Sequence, residues 1–432
     1  MSKLLLAHDL ADSDPDAAYD ICADILREEP NCAPALYIAA CILCKADKQG
    51  LALPMFERAA RLNDKAEAWN GVGTALHELH QPQEARVAFR RAFEKDPKPL
   101  YLVNIGVTYA DEGNHIEALK WIRKAERQEP DLPNIPAAAA FSELATGDWA
   151  NGWKHYQSTL GGKFRKKLNF GGKDWDGEKT GTLILYGEQG LGDEIMYASC
   201  IEDCKELADH TIIECDPRLE ALYTRSFPWA EVHGTRRQDR PWLQGCDSQA
   251  SVGTLPSLFR PSPDSCPRTP YLTADPERRL MWRALFDSYK KPVIGIAWSG
   301  GKITSQLGKR TMGLESFRPL IESKDAVFVS LQYKDPTEEI AASGLPVKHF
   351  GATMSADYDD AAALIAELDA MVGIHTTAHH IRGAMGLNST VLVPHAPLWN
   401  YCHGDRMPWY AGQVYHRQRK DERWIDTVKR LL

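Results

Sequence analysis

Apolar positions in the first third of the chain recur at helical spacing, and the same residue types return at a constant step. Ala52, Ala85 and Ala118 keep that step, as do Phe56, Phe89 and Ile122, and Ala59, Ala92 and Ala125. Ala40, Gly73 and Gly106 share it, and Pro97 and Pro130 close two of the units. Small residues at fixed places let the two helices of a unit cross closely, large ones fill the groove, and proline ends the second helix. Trp69, Gly73, Leu76, Ala85, Phe89, Ala92 and Pro97 make the clearest unit. Residues 15–30 read as a partial earlier unit, and after Pro130 the pattern decays through Leu144, Gly147, Trp149, Trp153 and Tyr156.

Beyond residue 160 the pattern changes. Residues 161–180 are polar and rich in glycine and lysine, and read as a linker. Short apolar runs then alternate with helical spacing. Runs 182–186, 211–214, 292–298, 326–331, 370–374 and 390–393 read as strands. Ile195, Met196, Cys200, Ile201, Cys204 and Leu207 predict one amphipathic helix. Residues 276–289, 314–321 and 361–368 predict others, the last capped by Asp360, and a further helix opens at His375 and ends at Gly386. Residues 238–276 hold many prolines and read as loops closing a first α/β half.

The repeat step is close to the tetratricopeptide period of about 34 residues. Such an array forms a curved solenoid whose concave face is expected to dock an acceptor protein or peptide. Its plainer roles are a spacer or an arm for homo-oligomers. Alternating strands and helices imply parallel sheets, and two such halves place a cleft at the strand C-termini. The expected fold is thus an α-solenoid followed by two Rossmann-like α/β domains. The expected divisions are repeats over 1–160, a linker over 161–180, a first half over 181–276 and a second over 277–432.

Composition narrows the class. Of 432 residues, 44% are hydrophobic and 25% charged, the profile of a soluble globular chain. A formal net charge of −8 without a long basic run argues against nucleic acid as a partner. No run is long and apolar enough to span a bilayer, and the N-terminus lacks a signal-peptide pattern. The 10 cysteines form no framework, so a reducing cytoplasm is the expected compartment. Cys41 and Cys44 lie inside an apolar helical pattern and read as core thiols.

Three strand-to-helix junctions carry candidate chemistry. At residues 187–193, Gly190 and Gly192 allow close approach of a ligand to backbone. Asp193 at the helix start is the candidate general base, or alternatively only a helix cap. At 299–310, Ser299, Gly300 and Gly301 offer amides, and Lys302, Lys309 and Arg310 offer positive charge. At 375–380, His375, Thr376, Thr377, His379 and His380 stand at a helix N-terminus, where anions bind. Gln332, at a strand end, is the candidate nucleoside contact. His375 and His379 are four apart, but the glutamate that a zinc helix needs after the first histidine is replaced by Thr376, so no metal site is expected. Trp298, Trp399 and Trp409 suit stacking on a ligand or plain packing.

The segments 187–201, 253–259, 294–300, 357–369 and Pro408-Trp409-Tyr410 together resemble tetratricopeptide proteins that carry a heptosyltransferase-like glycosyltransferase module. The resemblance implies a GT-B fold, a nucleotide-sugar donor, no metal or other cofactor, and inverting transfer with Asp193 as base. His375-Thr376-Thr377 departs from that family and is similar to the donor-diphosphate motif of protein O-GlcNAc transferases. That likeness implies diphosphate contacts at those three residues and a donor-binding place for His380, and it favours a UDP sugar. Together these imply a glycosyltransferase acting on a hydroxyl, expected on serine or threonine of a docked protein. A nucleotide-sugar epimerase-like enzyme and an inactive tetratricopeptide scaffold are the alternatives.

Overall fold

Small residues at the repeating positions shape the first part of the molecule. A computed structural model describes residues 3–162, 165–235, 243, 245–300 and 311–432. The chain divides into two compact units, Met1–Ser142 and Glu143–Leu432. The first holds α1 (Lys3–Leu10), α2 (Pro15–Glu28), α3 (Ala33–Lys45), α4 (Gln49–Asn63), α5 (Ala66–Glu78), α6 (Pro82–Lys95), α7 (Pro99–Asp111) and α8 (His115–Gln128), followed by α9 (Asn134–Thr146). From α1 to α8 each helix packs on the next, and Ile122 and Ala125 of α8 share an apolar cluster with Ile135 and Ala139 of α9. A Cβ at Gly73 would lie 2.5 Å from Phe89 Cε1, and one at Gly106 would lie 2.7 Å from Ile122 Cγ1. The small-against-large contact therefore repeats from unit to unit, as the spacing predicts. Ala85, Ala92, Ala118 and Ala125 are fully buried beside it. Truncating Phe89 to alanine would cost about 3–5 kcal/mol. Polar pairs also link neighbouring units: Asn104 Nδ2 donates to Asn70 Oδ1 at 2.9 Å, and His77 pairs with Asp111. Cys41 and Cys44 are free and half-buried. Burial raises both thiols, Cys44 to about 11, which suits core thiols and not a redox pair.

The second unit starts with α10 (Trp149–Tyr156) and contains two parallel sheets. The first sheet is built from β1 (Lys173–Asp174), β2 (Thr180–Tyr186), β3 (Ala208–Glu214), β4 (Glu231–His233) and β5 (Ser248–Ser251), in the order β1-β5-β2-β3-β4. Between them run α11 (Leu191–Tyr197) and α12 (Glu220–Ser226), and α13 (Leu255–Phe259) and α14 (Pro276–Ser288) follow. The second sheet takes β6 (Val293–Ala297), β7 (Val327–Ser330), β8 (Val347–His349), β9 (Ala370–Ile374), β10 (Ser389–Val393) and β11 (Gln413–Arg417), ordered β11-β10-β9-β6-β7-β8. Its helices are α15 (Arg318–Ser323), α16 (Thr337–Ser343), α17 (Gly351–Ala356), α18 (Tyr358–Ala366), α19 (Thr377–Ala384) and α20 (Trp424–Lys429). The second sheet starts at β6 in its middle, winds outward through β7 and β8, then returns to the other side of β6; the first winds likewise from β2 through β3 and β4 and returns with β5, leaving the short β1 at its edge. The order reverses between β2 and β5, and again between β6 and β9. Such reversals open a crevice at the strand C-termini.

Several expectations differ from what folds. Residues 143–160, expected with the repeats, belong to the second unit because the aromatic face of α10 finds its partners there. Trp149 lies 4.7 Å from Trp409 and Trp153 lies 5.3 Å from Trp399, ring centre to ring centre. Within the linker expected over 161–180, Lys173–Asp174 and Thr180 join the first sheet. Phe170 and Trp175 are buried anchors among its glycines and lysines, and Trp175 N donates to Gln249 O at 2.9 Å. The loops expected over 238–276 include the interior strand β5, which is short and polar (Ser248, Gln249, Ser251) and lacks a strand signature. The helix expected through Leu207 ends at Tyr197 and continues as 3-10 turns over Ala198–Cys200 and Glu202–Cys204. The cap of α18 is Asp357, whose side chain accepts from Asp359 N and Asp360 N. Asp360 instead accepts from Trp282 Nε1 at 2.8 Å, and Asp359 grips Arg225 of α12 through both oxygens, at 2.6 and 2.9 Å. That pair ties the first half to the second.

Candidate functional site

The strand β2 is buried from Leu183 to Tyr186 and ends at Gly187. The turn that follows places Gly190 at the N-cap of α11, with no side chain to cap it. Asp193 stands in the first helical turn, half-buried, and a Cβ on Gly190 would lie 3.6 Å from its Oδ2. A Cβ on Gly192 would lie 3.2 Å from His380 Cδ2 and 3.5 Å from Thr377 Oγ1. The turn carrying Asp193 therefore abuts the start of α19, and Gly192 is the residue that permits the approach. Helices α11 and α19 pack on each other.

The two switch points are furnished differently. Between β2 and β5, Arg165 and Glu188 form a buried ion pair at 3.0 Å. Arg165 also donates to Tyr156 O at 2.9 Å, Thr159 Oγ1 at 3.1 Å and Ser251 Oγ at 3.2 Å. A Cβ on Gly253 would meet Glu188 Oε1 at 2.3 Å, so these side chains fill the crevice. Sequence spacing gave no sign of this pair, since Arg165 comes from the presumed linker.

Between β6 and β9, among the described residues, the lining is backbone and neutral side chains. A Cβ on Gly300 would lie 3.0 Å from Thr376 Cγ2 and 3.7 Å from His375 O, so the two loops meet here. Thr376 is the N-cap of α19 but makes no capping hydrogen bond, and among the described residues its buried Oγ1 has no hydrogen-bond partner. The first amides of α19 are thus left without a side-chain acceptor, and the helix dipole adds partial positive charge there. His375 is buried and its ring lies 4.6 Å from that of Tyr401. Ser299 pairs with Thr311, and Met312 N donates to Trp298 O at 2.9 Å. Gln332 is buried against Ser299. In the amide orientation that matches donors to acceptors, its Oε1 accepts from Ser299 Oγ at 2.6 Å and Ser299 N at 3.0 Å, and its Nε2 donates to Ser299 O at 3.0 Å. The expected nucleoside contact therefore shapes the Ser299 loop. Lys302, Lys309 and Arg310 lie outside the described residues.

His380 has one consistent proton arrangement in its neutral form. Tyr271 OH donates to Ile195 O at 2.7 Å, so Tyr410 OH, 3.4 Å away, donates to the Tyr271 oxygen. His380 Nδ1 then donates to the Tyr410 oxygen at 3.1 Å, and Nε2 accepts from Tyr401 OH at 3.3 Å. The lone-pair edge of His380 faces Tyr401. His379 has a structural role: its Nε2 is 3.1 Å from Gly373 O and its Nδ1 3.1 Å from Ser389 Oγ. Burial lowers it to about 3 and keeps it neutral. Among the described residues no group of three or more His, Cys, Asp or Glu side chains is placed to hold a metal, and no helix is long and apolar enough to cross a membrane. Trp298 and Trp409 are core residues, and Trp399 is half-buried against Trp153.

Comparison with known proteins bears mainly on the first unit. The tetratricopeptide-repeat family model matches residues 100–132. The helical array is thus a tetratricopeptide solenoid. Over 451 residues the chain is 27% identical to protein FlbA of Caulobacter vibrioides, covering 96% of this chain and 75% of that protein. Among solved structures, YrrB, described as a TPR protein with an unusual peptide-binding site, is similar at TM-score 0.31 and 21% identity, covering 36% of this chain and 82% of that one. PilW, a type IV pilus biogenesis factor, is similar at TM-score 0.34 and 22% identity, covering 36% of this chain and 74% of that one. At such TM-scores these two likenesses carry no argument.

Proposed function

We propose that the second unit is a metal-independent glycosyltransferase of GT-B type. A nucleotide-diphosphate sugar, a UDP sugar first, would sit at the β6/β9 switch point. Its diphosphate would meet the uncapped start of α19, with contacts from His375, Thr376 and Thr377. Ser299, His380, Lys309 and Arg310 complete the proposed donor site. Gln332 supports Ser299. The acceptor hydroxyl oxygen attacks the anomeric carbon, the carbon–oxygen bond to the diphosphate breaks, and the diphosphate leaves with that electron pair. Asp193 takes the hydroxyl proton. The acceptor is a serine or threonine hydroxyl of a protein held by the repeats, in the reducing cytoplasm.

The observation that carries this reading is the contact of Gly192 with His380 and Thr377, which brings the base turn against an uncapped helix start at a strand switch point. A carboxylate in the Gly187-to-Asp193 turn and an anion site beside it suit transfer from a phosphate-activated donor. The test is release of free UDP from a panel of UDP sugars, with and without lysate proteins. Lysate-dependent release supports transfer, a converted donor without acceptor supports an epimerase, and UDP binding without turnover leaves a scaffold. Loss of activity on chelation by EDTA would reject the metal-free mechanism.

A further inference from the structure

Two glycines, Gly187 and Gly190, make the turn before α11 soft, so its shape depends on the side chains of Glu188 and Gln189. Both are anchored from outside the turn. Glu188 is held by Arg165, and Gln189 Nε2 donates to Glu188 Oε1 at 3.2 Å. That fixes which end of the Gln189 amide faces Tyr156, and Tyr156 OH donates to Gln189 Oε1 at 2.8 Å. With that proton in use, Tyr197 OH, 3.2 Å away, donates to the Tyr156 oxygen. The Arg165 guanidinium lies over the Tyr156 ring at 4.1 Å. Tyr156 belongs to α10, the helix whose pattern reads as the tail of the repeats.

The chain closes on the candidate base. Asp193 and Tyr197 are four residues apart on α11 and share a face. Burial pushes the Tyr156 and Tyr197 hydroxyls up, and the Asp193 charge adds to the rise at both. Both therefore remain protonated donors, within electrostatic reach of Asp193.

We infer that Tyr156, acting through Gln189, is a positioning residue that holds Asp193 in place for proton transfer. The inference rests on the transferase reading. Tyr156 touches no substrate in this account. It fixes the residue before the N-cap of α11, and so fixes where the helix and its carboxylate begin. The donor site lies on the other sheet and is left untouched.

A double-mutant cycle on UDP release tests it, with UDP-sugar donors, lysate acceptors and UDP affinity measured alongside. Tyr156→Phe and Gln189→Ala should each lower kcat by up to about 100-fold, the scale of a misplaced catalytic group, with UDP affinity unchanged. The double variant should be no slower than the slower single, because both break one connection. Gln189 is half-buried, so its alanine variant leaves the core intact even if Tyr156→Phe folds poorly. Wild-type kcat in Gln189→Ala, losses that multiply in the double variant, or a loss that follows UDP affinity overturns the inference. A wild-type protein that releases no UDP sinks the transferase reading itself, whereas an Asp193→Asn variant as fast as wild type places the base elsewhere and overturns this assignment alone.

Discussion

Between β2 and β5 the molecule places Arg165 and Glu188 where the strand ends part. Between β6 and β9 the described residues leave backbone, a threonine hydroxyl and an uncapped helix start in the same position. The two sheets share one winding plan, so topology alone offers two crevices. Which crevice is open to an anion depends on what the chain brings into it. A ligand entering the first would have to break a buried ion pair, at a cost of about 3–5 kcal/mol if one partner is left alone. A ligand entering the second displaces no such pair among the described residues.

The comparison breaks most sharply at Asp193. Asp193→Asn should lower UDP release by about 10²–10⁴-fold, the range for removing a general base, while UDP affinity stays. Isothermal calorimetry beside the rate assay reads both, and lost affinity would move the carboxylate into the donor site. At the first switch point, Arg165→Ala should destabilise the second unit by about 3–5 kcal/mol, because Glu188 is left buried and unpaired. Arg165→Met with Glu188→Leu should recover most of that loss in chemical denaturation, since an apolar pair replaces the ionic one. If the double variant is as unstable as the single, the pair is more than a plug.

A pH titration of stability sharpens the contrast on the other side. Burial holds His379 at about 3 when folded, against an ordinary value near 6.5. Between those values the unfolded chain binds a proton that the folded protein refuses. Stability should therefore fall as pH drops from about 6.5 toward 3, with no contribution from this residue above that window. Denaturation midpoints should lose about one proton's worth of this slope in His379→Asn, and an unchanged slope would assign the acid sensitivity elsewhere. The smallest effect is expected at Thr376→Val. Its hydroxyl bonds nothing among the described residues, so stability should hold or rise slightly. UDP affinity should fall by about 0.5–1.5 kcal/mol if that hydroxyl meets the diphosphate. A stability loss with unchanged affinity would make it a structural residue.

Much of this was legible from residue order. The repeat step marked the solenoid because each unit must present the same small and large residues to its neighbours. Apolar runs such as those ending at Tyr186, Ala297 and Ile374 marked strands buried on both faces. The glycine turn before Asp193 stood out for the same reason it works: bare backbone is needed where two turns meet. Other features left no local trace. The strand β5 is polar and short, yet it pairs with β2 at the centre of the first sheet. Arg165, Phe170 and Trp175 looked like linker residues because their partners, Glu188, Gln249 and the β5 backbone, lie far along the chain.

The amino-acid order by itself determined the helical array, the alternation of strand and helix, and the residue types at each strand-to-helix junction, because these follow from spacing along one segment. Only the tertiary structure decided that α10 joins the second unit, that one crevice is filled from within, and that Gln332 supports Ser299. Those outcomes depend on which distant side chains share a space, and a periodic pattern carries no record of distance through space.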